Sequence, residues 1–269
     1  MTMAATAQEG QVRRSAPQQE SGGGLPGAVA AEWSKLWGLR STWLCLAVAV
    51  AATGGTALLG ALAMEASDTV GDRVQANGLV SMSIMLSQFA MVAVASLIVT
   101  GEYATGAMRT TLTTVPRRGR MLLAKTAVLG VVSFVTGCLA GASTMAAGVA
   151  VFGDAMVFET APVVHAVVGT GGYMAGVSLF TMGLGVLTRS TAGAITAAIG
   201  VLMALPTIST MIGNETVSAV VDRMPATAGL PLMTGIEDPY GWGVGTLWLA
   251  GWALLALAAG WALLARRDA

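Results

Sequence analysis

Few residues in this chain are placed to do chemistry. The stretch Gly119-Arg120-Met121-Leu122-Leu123-Ala124-Lys125-Thr126 comes nearest to a nucleotide motif. A phosphate-binding loop needs G-x-x-x-x-G-K-[ST] after a strand, so that backbone N–H groups cradle the phosphates. Here Ala124 replaces the second glycine, no strand pattern precedes it, and the stretch runs straight into an apolar segment. The chain is therefore not expected to bind ATP itself, and Lys125 reads as a lysine snorkelling toward an interface. Ser178 and His165 are the only arguable nucleophile and base, yet no G-x-S-G surrounds Ser178 and His165 reads as an interfacial side chain. Met82 and Met85 share one helix face in an M-x-x-M pattern that suits Cu(I), but among 16 methionines they read as packing. Cys45 and Cys138 lie in apolar runs without zinc-site spacing and read as small buried hydrophobes. A protein with no catalytic, cofactor or metal site of its own is the expectation.

What surrounds these residues is apolar. Of 269 residues, 55% are hydrophobic and 10% charged, against about a quarter charged in soluble domains. A spanning helix needs about 20 apolar residues at ~1.5 Å rise across a ~30 Å core. Six runs free of Asp, Glu, Lys and Arg meet that length: 43–64, 79–100, 126–153, 162–188, 190–213 and 241–265. Their Gly, Ala and Leu content suits helices in lipid, whereas a barrel would need short alternating segments. The expected fold class is an all-α integral membrane protein with six transmembrane helices in a domain over 43–265. Residues 1–27 read as a disordered tail, 28–42 as an amphipathic interfacial helix, and 266–269 as a short tail.

Charge orients the spans. With an even number of spans both termini share one side, and that side holds 12 of the 14 basic residues, while most acids collect opposite. By the positive-inside rule the N and C termini are expected in the cytoplasm, in a multi-pass cell-membrane protein. The zero net charge gives no reason to expect a nucleic-acid partner. The interfacial helix carries Trp33, Lys35, Trp37 and Arg40. The external loop 214–240 has apolar patches separated by Pro225, Pro231 and Pro239. Short helices dipping back toward the membrane are one reading of it, tolerated where protein covers the backbone. Gly137-x-x-x-Gly141, Gly172-x-x-x-Gly176 and Gly241-x-x-x-Gly245 allow close helix contacts, read first as packing within the subunit and second as a dimer face.

The cytoplasmic loop 101–125, GEYATGAMRTTLTTVPRRGRMLLAK, is longer than a connector requires. Met108, Leu112 and Val115 are spaced by four and three among threonines, which predicts a short amphipathic helix ended by Pro116. A surface helix with a narrow apolar stripe and a basic end suits docking into a groove on a partner. The same pattern also suits a helix that only anchors topology. Glu102, at the end of the second run, is expected to favour the positive end of that helix's dipole.

The pattern Glu32-Trp33-Ser34-Lys35-Leu36 with Arg40-Ser41-Thr42-Trp43, then Gly101-Glu102-Tyr103, Thr105-Gly106, Arg109, Leu112, Pro116-Arg117-Arg118, Arg120 and Ala124-Lys125, resembles the permease subunits of type-2 ABC exporters, especially the compact actinobacterial kind. The resemblance extends over the chain as a six-span order with a long last external loop. It implies a connecting helix before the first span and a coupling helix between spans two and three. It further implies a cytoplasmic P-loop ATPase subunit that holds ATP and magnesium, and a second permease subunit, the same or a sister chain. By carry-over, Glu102, Gly106, Arg109, Leu112, Pro116 and Arg120 are the ATPase-coupling residues. The reading is an ATP-driven exporter subunit, with membrane lipid among its partners, for a hydrophobic or amphiphilic substrate moved along a largely apolar path at the subunit interface, lined by Ser, Thr, Met and Gln side chains such as Gln88.

The chief alternative is an ion-coupled carrier or channel with no ATPase partner; a membrane scaffold whose basic loop recruits a partner is a third. Ion-driven pumps usually place ionisable side chains at membrane depth, and the six runs contain no Asp, Glu, Lys or Arg. Pro206 is the internal proline at which a span would unwind to hold a cation.

Overall fold

Backbone polar groups cannot be left unpaired in lipid, and the chain meets that constraint with helices. The computed structural model describes residues 24–67, 74–75, 77–105 and 118–266. Helix α1 spans Gly24–Gly38. Leu39 then takes extended backbone (φ −96°, ψ 119°) before α2, Arg40–Ala66, begins. Next come α3, Val80–Thr105, and α4, Arg118–Phe152. Helix α5 runs over Thr160–Thr188 and α6 over Thr191–Ile212. Three short helices follow, α7 (Glu215–Val221), α8 (Pro225–Ala228) and α9 (Leu230–Thr234), and α10 spans Trp242–Arg266. Two-residue strands β1 (Val74–Gln75) and β2 (Met156–Val157) pair in parallel.

Six helices, α2 to α6 and α10, are long and apolar enough to cross a membrane, as expected from the six apolar runs. The start of α4 lies beside the end of α10, where a Cβ at Gly119 would sit 3.7 Å from Trp261 Nε1. That end of the bundle is called basal here, and the end carrying β1, β2 and α7–α9 distal. Helix α4 has 35 residues, about 52 Å at the usual rise, so it outruns a hydrocarbon core of about 30 Å. Its first turns carry Arg120 and Lys125, which the charge-free run excluded.

Helix α5 is the hub and packs against α3, α4 and α10. About half of the apolar window of α3 (56%), α4 (50%) and α5 (50%) is buried inside the protein, against 22% for α2, 17% for α6 and 28% for α10, so the second trio forms the outer ring. The α4–α5 contact depends on glycine: a Cβ at Gly137 would lie 2.7 Å from Thr170 O, and one at Gly141 only 2.1 Å from Ala166 O. The backbones touch there, as small-xxx-small faces allow. The glycine motif in α4 therefore serves packing within the chain.

Hydroxyls join the helices in the apolar interior. Ser83 and Thr144 lie 3.2 Å apart, and Ser143 donates to Val50 O at 3.3 Å. Pro206 does not unwind its span. A π-helical turn, Gly200–Ala204, precedes it and the helix continues to Ile212. A wider turn is a known way to absorb the missing proline N–H and the ring's clash with the preceding turn.

Candidate functional site

Charge is scarce in this chain, so the place where four charged side chains meet identifies the site. Lys125 Nζ lies 2.6 Å from Glu32 Oε2 and 2.8 Å from Glu102 Oε1. Lys35 Nζ lies 2.8 Å from Glu32 Oε1 and 3.1 Å from the same Glu102 Oε1. Two lysines and two glutamates thus alternate in a neutral cluster. It ties α1, through Glu32 and Lys35, to the basal end of α3, through Glu102, and to the start of α4, through Lys125. The side chain of Lys125 is 2% exposed and that of Glu32 7%, while Lys35 at 45% faces out.

The local sequence explains each placement. Glu32, Lys35, Leu36 and Leu39 recur at helical spacing, so both charges share a face of α1 with leucines. Helix α1 rests on α4 and reaches α3 through the Lys35–Glu102 pair. Glu102 sits in the last turn of α3, and the helix start that it is expected to hold lies outside the described residues. A carboxylate at a helix C-terminus is unfavourable to the dipole, and two lysines offset that. Lys125 does not snorkel outward; it turns into the protein because two carboxylates are there to receive it. A single buried charge costs several kcal/mol, and only excellent geometry with several partners offsets the cost. Burial lowers the pKa of Lys35, but hydrogen bonds and attraction from Glu32 and Glu102 outweigh it and hold that ammonium above the ordinary lysine range.

A second basal contact flanks the cluster. Arg189 closes α5 in the left-handed conformation (φ 51°), its N–H donating to Gly185 O at 3.0 Å. Its guanidinium lies over the Tyr103 ring, 5.4 Å from the centroid, a cation–π distance. Thr100 and Thr191 hydroxyls meet at 2.6 Å beside it. The α5–α6 turn is thereby fastened to the end of α3 that carries Glu102.

Of the residues singled out from sequence, Glu102 and Lys35 enter the cluster. Arg120 is exposed one turn before Lys125. Gly106, Arg109, Leu112 and Pro116, with the coupling helix expected around them, lie outside the described residues. Trp33 and Trp37 pack edge to face on α1, with centroids 5.4 Å apart. Trp37 meets Trp43 of α2 at 4.5 Å, and Trp43 Nε1 donates to Trp37 O at 3.3 Å. Arg40, expected on the interfacial helix, instead opens α2, because the chain turns at Leu39.

Glu32 and Lys125 were quoted in the sequence without their role. A signal for it exists: between residues 24 and 266, Glu32 and Glu102 are the only acids on the basic side. Two acids kept where lysine and arginine prevail call for partners.

The other candidates separate. His165 and Ser178 stand 13 residues apart on α5, about 20 Å along the axis. His165 Nδ1 is bonded to Leu232 O at 2.9 Å, and Ser178 is fully buried. Met82 and Met85 are exposed on the outside of α3. Gln88 is buried within this chain, accepts from the Tyr173 hydroxyl and donates to Met85 O. Gly119 to Thr126 lies in one continuous helix rather than in a loop, so it lacks the looped backbone that wraps phosphates in a nucleotide motif. Among the described residues no group of three or more His, Cys, Asp or Glu side chains is placed to hold a metal.

Residues 28–212, which include the whole cluster, match the family model described as ABC-2 family transporter protein. No curated protein matches the chain.

Proposed function

The chain belongs to the ABC-2 transporter family, and from that premise we propose that it is the membrane subunit of an ATP-driven exporter whose ATPase is a separate cytoplasmic chain. It is a multi-pass membrane protein of a transport family. In this reading the basal end faces the cytoplasm of the cell membrane, as the basic residues require. Segment 106–117 leaves α3 three residues past Tyr103 and enters α4 seven residues before Lys125. A partner engaging Arg109 and Leu112 there would push on both helices at once. ATP and magnesium stay in the partner, and a second copy or a sister permease completes the exporter. The cargo class is hydrophobic or amphiphilic.

The observation that carries this reading is the ion cluster. A displacement imposed on the ends of α3 and α4 passes to α1 through Lys125 and Lys35, because both lysines hold carboxylates on α1 and α3 together. Four paired charges that sum to zero can shift as one body, since no charge is left unpaired while the partners move together. The distal half, closed by close backbone contacts, gives α3 and α5 a fixed end against which such a push can act.

The test is co-purification. Tagged chain from its own membranes, solubilised in mild detergent, is expected to carry a P-loop ATPase in stoichiometric amount. Arg109→Glu should release the ATPase. Glu102→Ala should keep it bound while transport per ATP hydrolysed falls. A folded chain that retains no ATPase sinks the exporter reading in favour of an ion-coupled carrier or channel, and ion flux in liposomes becomes the next measurement.

A further inference from the structure

Beside the ion cluster lies a cleft of about 510 Å³ between α1 and the basal end of α3, floored by α4. That volume falls within the ~300–1,000 Å³ range of small-molecule sites. Its lining is of two kinds. Leu39, Leu97, Ile98 and Val128 supply apolar surface, with Leu39 (49%) and Leu97 (38%) exposed. Glu32, Lys35, Glu102 and Lys125 supply charge. An apolar slot that also carries charges at a membrane boundary suits an amphiphile rather than a soluble ligand.

The charged lining has two unused valences. Lys35 Nζ has three donors, two of them directed at Glu32 and Glu102, which leaves one N–H on a half-exposed ammonium. Glu102 Oε1 accepts from both lysines, while its Oε2 is buried without a hydrogen-bond partner among the described residues. The Lys35 ammonium and the Glu102 carboxylate, both lining the cleft, therefore each have hydrogen-bonding capacity to spare, the carboxylate once Oε2 turns toward the cleft. The donor suits a phosphate, and the acceptor suits an N–H of a cationic amine.

We propose that this cleft holds one phospholipid of the basal leaflet with a primary-amine zwitterionic headgroup. Its phosphate lies at Lys35, its ammonium at Glu102 Oε2, and one acyl chain lies along Leu39, Leu97 and Ile98. A choline headgroup carries the same charges but offers no N–H, and a glycerol headgroup offers no cation. The site thus discriminates by hydrogen bonding as well as charge. The proposal goes beyond the exporter reading and does not depend on an ATPase, because the cleft is made by this chain alone.

The experiment is native mass spectrometry of the purified full chain, titrated with phosphatidylethanolamine, phosphatidylcholine and phosphatidylglycerol of identical acyl chains. The expected result is one retained ethanolamine lipid, preferred about tenfold, the worth of one charge-assisted hydrogen bond. A Cβ added at Gly101, which lines the cleft, meets no atom of the described residues within 4 Å. Gly101→Leu therefore fills the slot, and should abolish retention with the thermal midpoint unchanged or raised. Leu97→Trp is the second filler should that variant not fold. Glu102→Gln should erase the preference for ethanolamine over choline. Equal retention of the three lipids, a preference for the glycerol lipid, or full retention in a folded, filled cleft would each overturn the proposal.

Discussion

The two ends of the bundle hold a non-spanning segment by opposite means. At the basal end α1 is joined to α3 by charge, through lysines that bridge carboxylates on both helices. At the distal end α9 is joined to α5 by proximity and neutral bonds. A Cβ at Gly169 would lie 2.0 Å from Leu232 O, His165 Nδ1 bonds that same carbonyl at 2.9 Å, and Asn77 donates to Thr234 O. The short helices α8 and α9 pack on α5, α10 and the π-helical turn of α6. Contact between backbones leaves no room for graded movement. An ion cluster beside a cleft does leave room, since charges can stay paired while helices shift. In the proposed exporter the α1 contact is the one that moves and the α9 contact the one that stays, although α5 and α10 also touch closely toward the basal end, where a Cβ at Gly183 would lie 2.5 Å from Ala256 C.

The strongest way to break this comparison is Lys125→Met. It removes the 2%-exposed cation and leaves Glu32 and Glu102 sharing Lys35 alone. Breaking a buried pair by removing one partner costs about 3–5 kcal/mol. The thermal midpoint in detergent, followed by tryptophan fluorescence, should fall more than for any other substitution discussed here. Trp33, Trp37 and Trp43 report from the basal end. A midpoint equal to wild type would show that charge does not hold α1 in place.

Gly169→Val tests the opposite end. The new side chain must displace the Leu232 carbonyl, and overpacking of this kind costs about 1–3 kcal/mol. Because the clash is steric, the loss should be the same at low and high salt. A salt-dependent loss would mean that the distal end is also held electrostatically.

The difference between the ends also explains what was legible. The six spans follow from apolar length, which lipid enforces residue by residue. The spacing of Gly137 and Gly141 marked a close helix contact within the subunit, though not that α5 is the partner. The cluster was not visible, because its four members are 3, 67 and 23 positions apart along the chain and no periodicity links them. Reading Lys125 by its position near a span end gave the wrong direction, since the carboxylates that turn it inward come from α1 and α3. Helix α3 likewise continues past the last apolar residue of its run, to Thr105, and carries Glu102 in its last turn with its charge paired. The inward packing of α9 depends on one carbonyl meeting one glycine, a tertiary fact with no local mark.

A milder distal probe is His165→Ala. It removes the ring that bonds Leu232 O and stacks edge-on with Trp242 at 6.1 Å. The expected cost is about 1 kcal/mol, one ordinary hydrogen bond, seen as a small fall in the midpoint with the fluorescence change confined to the distal tryptophans. A change reported first from Trp37 would contradict the separation of the two ends.

Lys35→Ala should have the smallest effect at neutral pH and the most informative pH dependence. Its ammonium is half exposed, and pairs of that kind contribute about 0–1 kcal/mol. Glu32 and Glu102 nevertheless hold its pKa above the ordinary range. A lysine raised by folding contributes stability that is fully present below its unfolded pKa and lost as pH rises through the folded one. The midpoint difference between wild type and Lys35→Ala should therefore be constant to about pH 10 and shrink above it. One molar salt, with a Debye length of about 3 Å, should shrink it at neutral pH as well. The deficit of Lys125→Met should survive the same salt, since that lysine is out of reach of solvent ions. If salt and alkali act equally on both variants, the cluster is a single exposed network, and the gradient from rim to interior on which the moving end depends does not exist.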